Sequence, residues 1–411
     1  MTAEAKVETP AIQLDDYVQL LGQAEVDEIR TLASKLTGRT VQMVNSTAMG
    51  GGVAEILNRL IPLMQELQLN IRWDVITGGE GFFEVTKSFH NALHGGAYEA
   101  KQEDFELFLA TNEQNRQRMK FDSEFTVIHD PQPIALIEAR QGHENHWIWR
   151  CHIDLSHPNQ DVWGFLRPFV FRYDGALFSS PSFARQLPIP QYLAYPSIDP
   201  LSDKNKDLDP EYVSSVLERF KIDPLRPILT QISRFDRLKD PVGVVRAYQI
   251  VKRYADCQLV LAGGGAADDP EGGVVLEEVK KAAAGDPDIF ILDLPPWSAL
   301  EINALQRAST IIIQKSLREG FGLTVTEALW KKKPTVASAV GGIPAQVIHK
   351  HTGLLAHSVE GTAYQIRFLL SNPEMAQKLG EQGHEHVREH FLITSNVKRY
   401  LTLFLNSAGI S

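Results

Sequence analysis

The chain has 411 residues, a formal net charge of -10 and 43% apolar residues, which suits two globular domains and excludes a disordered chain. The acidic balance excludes a basic surface for nucleic acid or anionic lipid. Two distant cysteines without metal-ligand spacing indicate a reducing compartment, so a cytoplasmic protein is expected. No apolar run reaches the ~18 residues of a membrane span, and the N-terminal sequence lacks a secretion-signal pattern.

The first half of the chain alternates strands with helices. A helical region from Asp15 to Leu36 is followed by a predicted strand, Thr40–Ser46, the glycine turn 50–52 and an amphipathic helix, Val53–Leu67. Further predicted strands are Trp73–Thr77, Phe125–His129, Ile148–Ile153 and Ala176–Ser179. Such alternation predicts a parallel sheet.

The segment Tyr195–Asp209 is polar and lacks apolar periodicity, so it is predicted to connect two domains, 1–205 and 206–392. The alternation then restarts. Predicted strands are Ile228–Ser233, Gln258–Ala262, Ile289–Leu292, Thr310–Gln314 and Thr335–Ser338; predicted helices are Val242–Tyr254, Val274–Ala284, Leu300–Ala308 and Gly322–Trp330. Two doubly wound, Rossmann-like domains facing across a cleft are therefore expected, with ligands beyond the carboxyl ends of the strands.

The strongest motif is Glu319-Gly320-Phe321-Gly322-Leu323, with Glu327 eight positions after Glu319. Its glycines allow close approach of a ligand to the backbone, and the following helix directs free N–H groups towards it. The alternative is that Glu319 complements the helix dipole while Glu327 lies on a solvated face. The whole constellation favours a function.

This pattern resembles the two-glutamate signature of retaining nucleotide-sugar glycosyltransferases with GT-B architecture. The resemblance implies that Glu319 and the following amides hold the donor sugar and that Glu327 holds the ribose. It also implies that a C-terminal helix, within 393–411, rejoins the first domain.

Arg234 and Lys239 lie in the loop after the first strand of the second half. Two cations at this spacing can converge on one diphosphate. By resemblance they neutralise the leaving nucleotide. The alternative is a solvated loop in which they pair with Asp236 and Asp240.

The glycine turn after the first strand is a weak phosphate signal by itself. The wider stretch NSTAMGGGVAEILNRLIPLM resembles the opening of trehalose glycosyltransferring synthases, and so do residues 129–133 and 150–156. The likeness runs from about Gly38 to Phe391. It suggests Gly51 and Gly52 as substrate contacts.

His129 and His152 each lie at the end of a strand-like run, where a structural histidine is the ordinary alternative to a functional one. The resemblance places His152 beside the anomeric carbon of the donor and makes Asp130 an acceptor-sugar ligand. The other candidate ligands in this half are His129, Arg150 and Asp154. Trp147, Trp149 and Trp163 could stack on sugars, although buried core aromatics are favoured.

Leu294-Pro295 follows a strand where family members cover the nucleobase, and Gly263 lies in a neighbouring glycine turn. Gly341-Gly342 is typical of the family, but turn chemistry explains it without a function. No cluster has structural-metal spacing. Neither a tightly bound cofactor nor an obligatory metal is expected, and stimulation by Mg²⁺ stays open.

The resulting hypothesis is transfer of glucose from an NDP-glucose to glucose, giving α,α-trehalose, with reversal possible. The catalytic candidates are His152, Arg234, Lys239 and Glu319. A retaining trehalose phosphorylase is the nearest alternative, and a noncatalytic nucleotide-sugar-binding protein is another. The sequence does not fix the nucleobase, the acceptor range, the direction or the oligomeric state, for which a homodimer is one option.

Overall fold

The computed structural model describes residues 12–48, 52–142, 144–264 and 270–410. The chain forms two compact units: the first runs to Pro196 and resumes at Ile393, and the second covers Ser197–Leu392. Each unit holds one six-stranded sheet whose neighbouring strands run parallel. Parallel strands require crossover connections, and helices supply most of them here. The predicted α/β class with two doubly wound sheets is confirmed.

The first unit contains strands β1 to β6 and helices α1 to α6. The strands are β1 Thr40–Asn45, β2 Asn70–Val75, β3 Phe125–His129, β4 His146–Cys151, β5 Gly175–Phe178 and β6 Gln191–Leu193, in the order β2-β1-β3-β4-β5-β6. The helices are α1 Val18–Leu21, α2 Gln23–Ser34, α3 Gly52–Glu66, α4 Glu80–Leu93, α5 Gln102–Arg118 and α6 Gln160–Val170. Short 3-10 turns are Leu14–Tyr17, Ile134–Ala139 and Pro181–Phe183.

The central strands β3 and β4 of this sheet are almost entirely buried. All five residues of β3 are buried, as expected for a strand in the middle of a parallel sheet. The three tryptophans that could have stacked on sugars are core residues: Trp147 and Trp149 are each 1% exposed and Trp163 is 6% exposed. The structure thus supports the interpretation of these tryptophans as buried core residues.

The second unit contains strands β7 to β12 and helices α7 to α14. The strands are β7 Ile228–Ile232, β8 Gln258–Gly263, β9 Ile289–Asp293, β10 Ile311–Gln314, β11 Thr335–Ser338 and β12 Leu354–Ala356, in the order β12-β11-β10-β7-β8-β9. The helices are α7 Pro210–Phe220, α8 Pro241–Lys252, α9 Pro270–Ala283, α10 Ala299–Ala308, α11 Leu323–Trp330, α12 Ile343–Gln346, α13 Val359–Ser371 and α14 Pro373–His390. A 3-10 turn spans Arg237–Lys239.

The last helix, α15 Ile393–Ser407, belongs to the first unit. Lys398 on this helix pairs with Glu25 at 3.0 Å and with Glu28 at 2.8 Å, and Phe404 packs on Phe125 with ring centroids 4.7 Å apart. Among the described residues, no helix has both the length and the apolar character to cross a bilayer.

The boundary between the units lies nine residues before the predicted one, after Pro196 rather than after residue 205. The polar segment that follows is fixed on the second unit by side chains. Asn205 accepts a hydrogen bond from Lys331 Nζ at 3.0 Å, and its carbonyl oxygen accepts one from Arg307 at 3.1 Å. Ile198 bonds to the backbone of Phe391. Despite its low apolar content, this segment is therefore part of the second unit rather than a separate connection between the units.

Several predicted strand boundaries were wrong. β2 and β4 begin at Asn70 and His146, three and two residues before the predicted starts, because hydrogen-bonded ladders extend over polar residues. The edge strands β6 and β12 have three residues each and were not predicted. Short runs of this kind give too little periodicity to detect.

Candidate functional site

The end of β8 contacts the loops that follow β7 and β9 at the carboxyl edge of the second sheet. The backbone N–H of Ser233, after β7, donates to Ala262 O at 3.1 Å, and that of Leu294, after β9, donates to Gly263 O at 2.8 Å. A Cβ on Gly263 would lie 1.9 Å from the Ser233 carbonyl oxygen, so glycine is required for this approach. Arg234 therefore lies beside the loops that were predicted to cover the nucleobase.

An ion pair joins two predicted site residues at the same edge. Lys239 Nζ donates to both carboxylate oxygens of Glu319, at 2.7 Å each. The lysine side chain is 20% exposed and the glutamate side chain 7%. Lys239 ends a 3-10 turn that Asp236 caps by accepting from Leu238 N at 2.7 Å. Burial makes this pairing valuable, because either charge alone would be poorly solvated.

Two further side chains hold the Glu319 carboxylate. Ser316 donates its hydroxyl to Oε2 at 3.0 Å, and Gln314 Nε2 lies 3.4 Å from the same oxygen and 3.0 Å from Ser316 Oγ. The sequence reasoning missed both residues. Their position just before the glutamate, at the end of β10, was the one available signal. With Lys239 they fix the direction of the carboxylate.

The glycine-rich entrance to α11 is built by close backbone contacts. Gly322 caps the helix with φ +82°, a conformation that favours glycine. Gly342 N donates to Gly320 O at 2.8 Å, and a Cβ on Gly341 would lie 1.7 Å from the Glu319 carbonyl oxygen. The pair Gly341-Gly342 therefore has a definite role in shaping the Glu319 loop, which turn chemistry alone did not reveal.

Not every residue of this motif offers its side chain. Phe321 is 6% exposed and packs on Phe391, with ring centroids 5.6 Å apart, so only its backbone can face a ligand. Leu323 is the first residue of α11. The early N–H groups of a helix make an anion site. The geometry suits a phosphate at this entrance.

Arg234 and Lys239 are on one loop but have different environments. The Arg234 side chain is 55% exposed and pairs with Asp236 at 3.2 Å, one of the partners that the solvated-loop alternative named. Lys315, after β10, pairs with Asp240 and so ties the two loops together. Leu317 N also donates to Leu238 O at 2.8 Å. These contacts hold the cationic loop next to the Glu319 loop.

Glu327 does not lie on a solvated face. Its side chain is in α11 and the residue is 3% exposed, with Gln306 Nε2 at 3.4 Å from Oε2. Burial lowers the pKa of the Lys331 ammonium group, and the negative charge of Glu327 partly opposes this shift. A ribose contact for Glu327 stays a prediction.

In the first unit, His129 and His152 lie edge to edge in nearly parallel planes. Their rings are 5.4 Å apart at 15°, and His129 Nδ1 lies 3.1 Å from His152 Nε2. Burial lowers the pKa of both imidazoles, that of His129 to about 3, and the Arg150 cation acts in the same direction. Both rings are therefore neutral at ordinary pH.

Asp130 lies between the two histidines in the chain and has φ +66°. Its Oδ1 accepts the backbone N–H of His152 at 2.8 Å. Burial raises the pKa of this carboxyl group to about 6. The contact positions the start of the His152 loop, and an acceptor-sugar role for Asp130 stays a prediction.

The structure argues against Arg150 as a sugar ligand. This residue is 1% exposed, and its guanidinium donates to Leu177 O at 3.2 Å, Ser179 Oγ at 3.1 Å and Ala194 O at 2.7 Å. It therefore ties β4 to its neighbours inside the first unit. A charged residue in a buried strand needs such partners.

The remaining predicted contacts are placed as follows. Asp154 is half-buried and accepts the Ser156 N–H at 2.8 Å. Gly52 begins α3, whereas Gly51 lies outside the described residues. Leu294 is 8% exposed and Pro295 is exposed.

Within the described ranges, no group of three or more His, Cys, Asp or Glu side chains is arranged to hold a metal ion.

Comparison with known proteins gives two family matches in tandem. Residues 43–185 match the family described as trehalose synthase, N-terminal domain, and residues 217–386 match glycosyl transferases group 1. The trehalose synthase of Pyrococcus horikoshii is 44% identical over 404 residues, 97% of each chain. A trehalose phosphorylase of Pleurotus pulmonarius is 29% identical and covers 95% of this chain, but the match spans 60% of that protein.

A solved structure supports the fold. The α,α-trehalose 6-phosphate synthase from Burkholderia multivorans superimposes with a TM-score of 0.71 at 16% identity, over 91% of this chain and 99% of that one. At this identity the likeness concerns the fold alone. Together with the two parallel sheets, it confirms the predicted GT-B architecture.

Proposed function

We propose a function from one premise: the chain belongs to the trehalose synthase family of glycosyltransferases. It is therefore an enzyme of trehalose-related glycosyl transfer. We propose more specifically that it moves glucose from a nucleoside diphosphate glucose to free glucose, with retention at the anomeric carbon, and that the reaction is reversible. The products are α,α-trehalose and the nucleoside diphosphate.

The contact between Lys239 and Glu319 carries this proposal. A diphosphate needs cationic partners, and hexose hydroxyls need a fixed acceptor. These two groups meet beside the glycine-rich entrance to α11, where backbone amides add anion-binding capacity. The two charges satisfy each other in this arrangement, so both side chains are held in fixed positions.

The other predicted donor contacts surround this pair. Arg234 would share the diphosphate with Lys239, and the backbone of residues 320–323 would contact the phosphates and glucose. Glu327 would hold the ribose, and Gly263, Leu294 and Pro295 would line the base. We assign the acceptor glucose to the first unit, through Asp130, Asp154 and the start of α3, and we place His152 beside the anomeric carbon of the donor.

The proposed reaction needs no nucleophile from the protein. The bond between the anomeric carbon and the diphosphate oxygen breaks, and the acceptor hydroxyl oxygen bonds to the same face of that carbon. The hydroxyl proton passes to an oxygen of the leaving diphosphate. Catalysis then rests on positioning and on neutralising the negative charge of the leaving group by Arg234 and Lys239. No tightly bound cofactor or obligatory metal enters the scheme, and Mg²⁺ is at most stimulatory.

A retaining trehalose phosphorylase is the second candidate, because a trehalose phosphorylase aligns with 95% of this chain. The same cations could bind inorganic phosphate. Two observations favour the synthase: identity is higher, and the alignment spans 97% of the synthase against 60% of the phosphorylase. The noncatalytic alternative is set aside by membership in the enzyme family.

Breakdown of trehalose separates the two candidates. The protein is incubated with trehalose and either UDP, ADP, GDP or inorganic phosphate, and the glucose-containing products are identified. We expect NDP-glucose with at least one nucleotide and no glucose 1-phosphate with phosphate. Glucose 1-phosphate formation without any NDP-glucose would establish the phosphorylase instead.

A further inference from the structure

His129 and His152 share a single hydrogen bond between their ring edges, and its direction can be worked out. His129 ends β3, and His152 follows β4, the neighbouring strand. The 3.1 Å distance between His129 Nδ1 and His152 Nε2 is that of an N–H···N bond. A neutral imidazole carries one N–H, on one of its two nitrogens. One ring therefore donates and the other accepts.

The other nitrogen of His129 decides which ring donates. His129 Nε2 lies 3.4 Å from the thioether sulfur of Met43 on β1. Both residues are buried, at 1% and 0% exposure. A thioether sulfur can only accept, so a bare Nε2 would place two lone pairs against each other. The proton of His129 is therefore on Nε2, which donates to the sulfur, and Nδ1 is left as an acceptor.

The tautomer of His152 follows. Its Nε2 must carry the proton that it donates to His129 Nδ1, and its own Nδ1 is then unprotonated. Neither ring takes a second proton at neutral pH, because desolvation and the Arg150 cation lower the pKa of both imidazoles. Asp130 does not alter this result, because its Oδ1 accepts the backbone N–H of His152 rather than a ring N–H.

We propose that Met43 and His129 are positioning residues that hold His152 in the Nε2–H tautomer, so that His152 Nδ1 accepts a hydrogen bond from a sugar hydroxyl. His152 is half-buried, and among the described residues its ring bonds only to His129. A bare ring nitrogen selects a hydroxyl donor and rejects a carboxylate or phosphate oxygen, which has no proton to give. The tautomer is independent of the reaction, whereas the sugar as ligand rests on the proposed function.

The tautomers can be read by NMR of the full chain labelled with ¹⁵N-histidine, without substrate. Long-range ¹H–¹⁵N correlations distinguish protonated from bare ring nitrogens. Substitutions His129→Asn and His152→Asn assign the two rings among the 13 histidines. We expect Nε2 protonated and Nδ1 bare in both rings. A His152 ring with its proton on Nδ1, or a charged ring, would overturn the proposal.

Met43→Leu tests the cause. This swap conserves volume but removes the sulfur acceptor. His129 should then move its proton to Nδ1, because an unsatisfied buried donor is costly, and His152 should become the Nδ1–H tautomer. Met64→Leu, at an equally buried methionine of the same unit, is the control and should change neither ring. Unchanged tautomers in Met43→Leu would refute the role of Met43.

The same variant tests the acceptor role of Nδ1. We expect the rate of trehalose formation to fall about tenfold in Met43→Leu, the scale of one neutral hydrogen bond, with Met64→Leu unaffected. A tautomer switch without loss of rate would overturn the sugar-hydroxyl contact. If the wild-type protein formed no trehalose, the proposed function would fail while the NMR result would still decide the tautomer.

Discussion

Lys239 and Glu319 form an ion pair at the carboxyl edge of the second sheet, although they are eighty positions apart in the chain. Lys239 Nζ contacts both carboxylate oxygens at 2.7 Å. One group suits a diphosphate and the other a hexose. Their contact places the two chemical demands of an activated sugar at one point. Ser316 and Gln314 hold the same carboxylate, so its direction does not depend on the lysine alone.

Removing either proposed diphosphate cation should slow the enzyme. Replacing Arg234 or Lys239 by Ala should cut turnover roughly 100-fold or more, the range of a lost preorganised charge donor. The measurement is the steady-state rate of trehalose formation from NDP-glucose and glucose.

The control is Arg237→Ala. Arg237 lies in the same loop, is 54% exposed and pairs with Glu278 at 2.7 Å, on a different element. This variant should retain near-normal turnover. If Arg234→Ala and Lys239→Ala also retained it, the assignment of the diphosphate site would be rejected.

Glu319→Gln should separate sugar binding from nucleotide binding. The substitution removes the carboxylate that we assign to glucose and leaves the Lys239 ammonium without its anionic partner. Turnover should fall at least tenfold. The free nucleoside diphosphate should bind several-fold more tightly, because the Lys239 ammonium no longer forms an ion pair with residue 319. Calorimetric titration with the nucleotide measures the second effect. Weaker nucleotide binding in this variant would contradict the account.

Gly341→Ala should distort the Glu319 loop. The residue has φ +56°, and a Cβ would lie 1.7 Å from the Glu319 carbonyl oxygen, so backbone must move. Gly285→Ala is the matched control, with φ +74° and open space around the added Cβ. The control should lose about 1–2 kcal/mol of unfolding free energy from the left-handed conformation alone. Gly341→Ala should lose more and should also weaken donor binding; equal losses without a change in donor KM would contradict the packing argument.

Acid should destabilise the first unit through the buried histidines. Burial lowers the pKa of His129 from 6.5 to about 3. Its contribution to the unfolding free energy is therefore complete above pH 6.5 and is lost as the pH falls towards 3, by about 1.4 kcal/mol per pH unit within that window. The pKa of His152 is shifted in the same direction. Urea unfolding followed between pH 7 and pH 5 measures the slope.

Asp130 acts with the opposite sign. Burial raises its pKa from 3.8 to about 6, so its contribution is present below pH 3.8 and is lost as the pH rises through 6. His129→Asn should therefore flatten the acid slope, because the effects of His152 and Asp130 then oppose each other. His357→Asn, at an exposed position, should leave the slope as in the wild type. An unchanged slope in His129→Asn would refute this origin of the pH dependence.

The local pattern of apolar residues was sufficient to predict two parallel α/β sheets. β3 and β11 have the predicted bounds, Phe125–His129 and Thr335–Ser338, because buried parallel strands are short apolar runs between turn residues. Pattern failed where long-range contacts decide. The three acceptors of Arg150 come from residues 27 to 44 positions later, so spacing could not show that this arginine belongs to the core.

The site was accessible only in part for the same reason. The glutamates and the two cations were identified from motif and spacing, and the resemblance supplied their roles, but no spacing rule joins Lys239 to Glu319. Gln314 and Ser316 are polar residues at a strand end with no motif of their own. Met43 is an ordinary core residue until the structure places its sulfur 3.4 Å from His129 Nε2.

The most direct test of the central claim follows one labelled carbon. NDP-glucose carrying ¹³C at the anomeric position is incubated with unlabelled glucose, separately for UDP, ADP and GDP, and the product is examined by NMR. The account predicts α,α-trehalose with one labelled anomeric carbon in the α configuration, and strong loss of this product in Lys239→Ala. A β-linked product, or no disaccharide from any of the three donors, would contradict it.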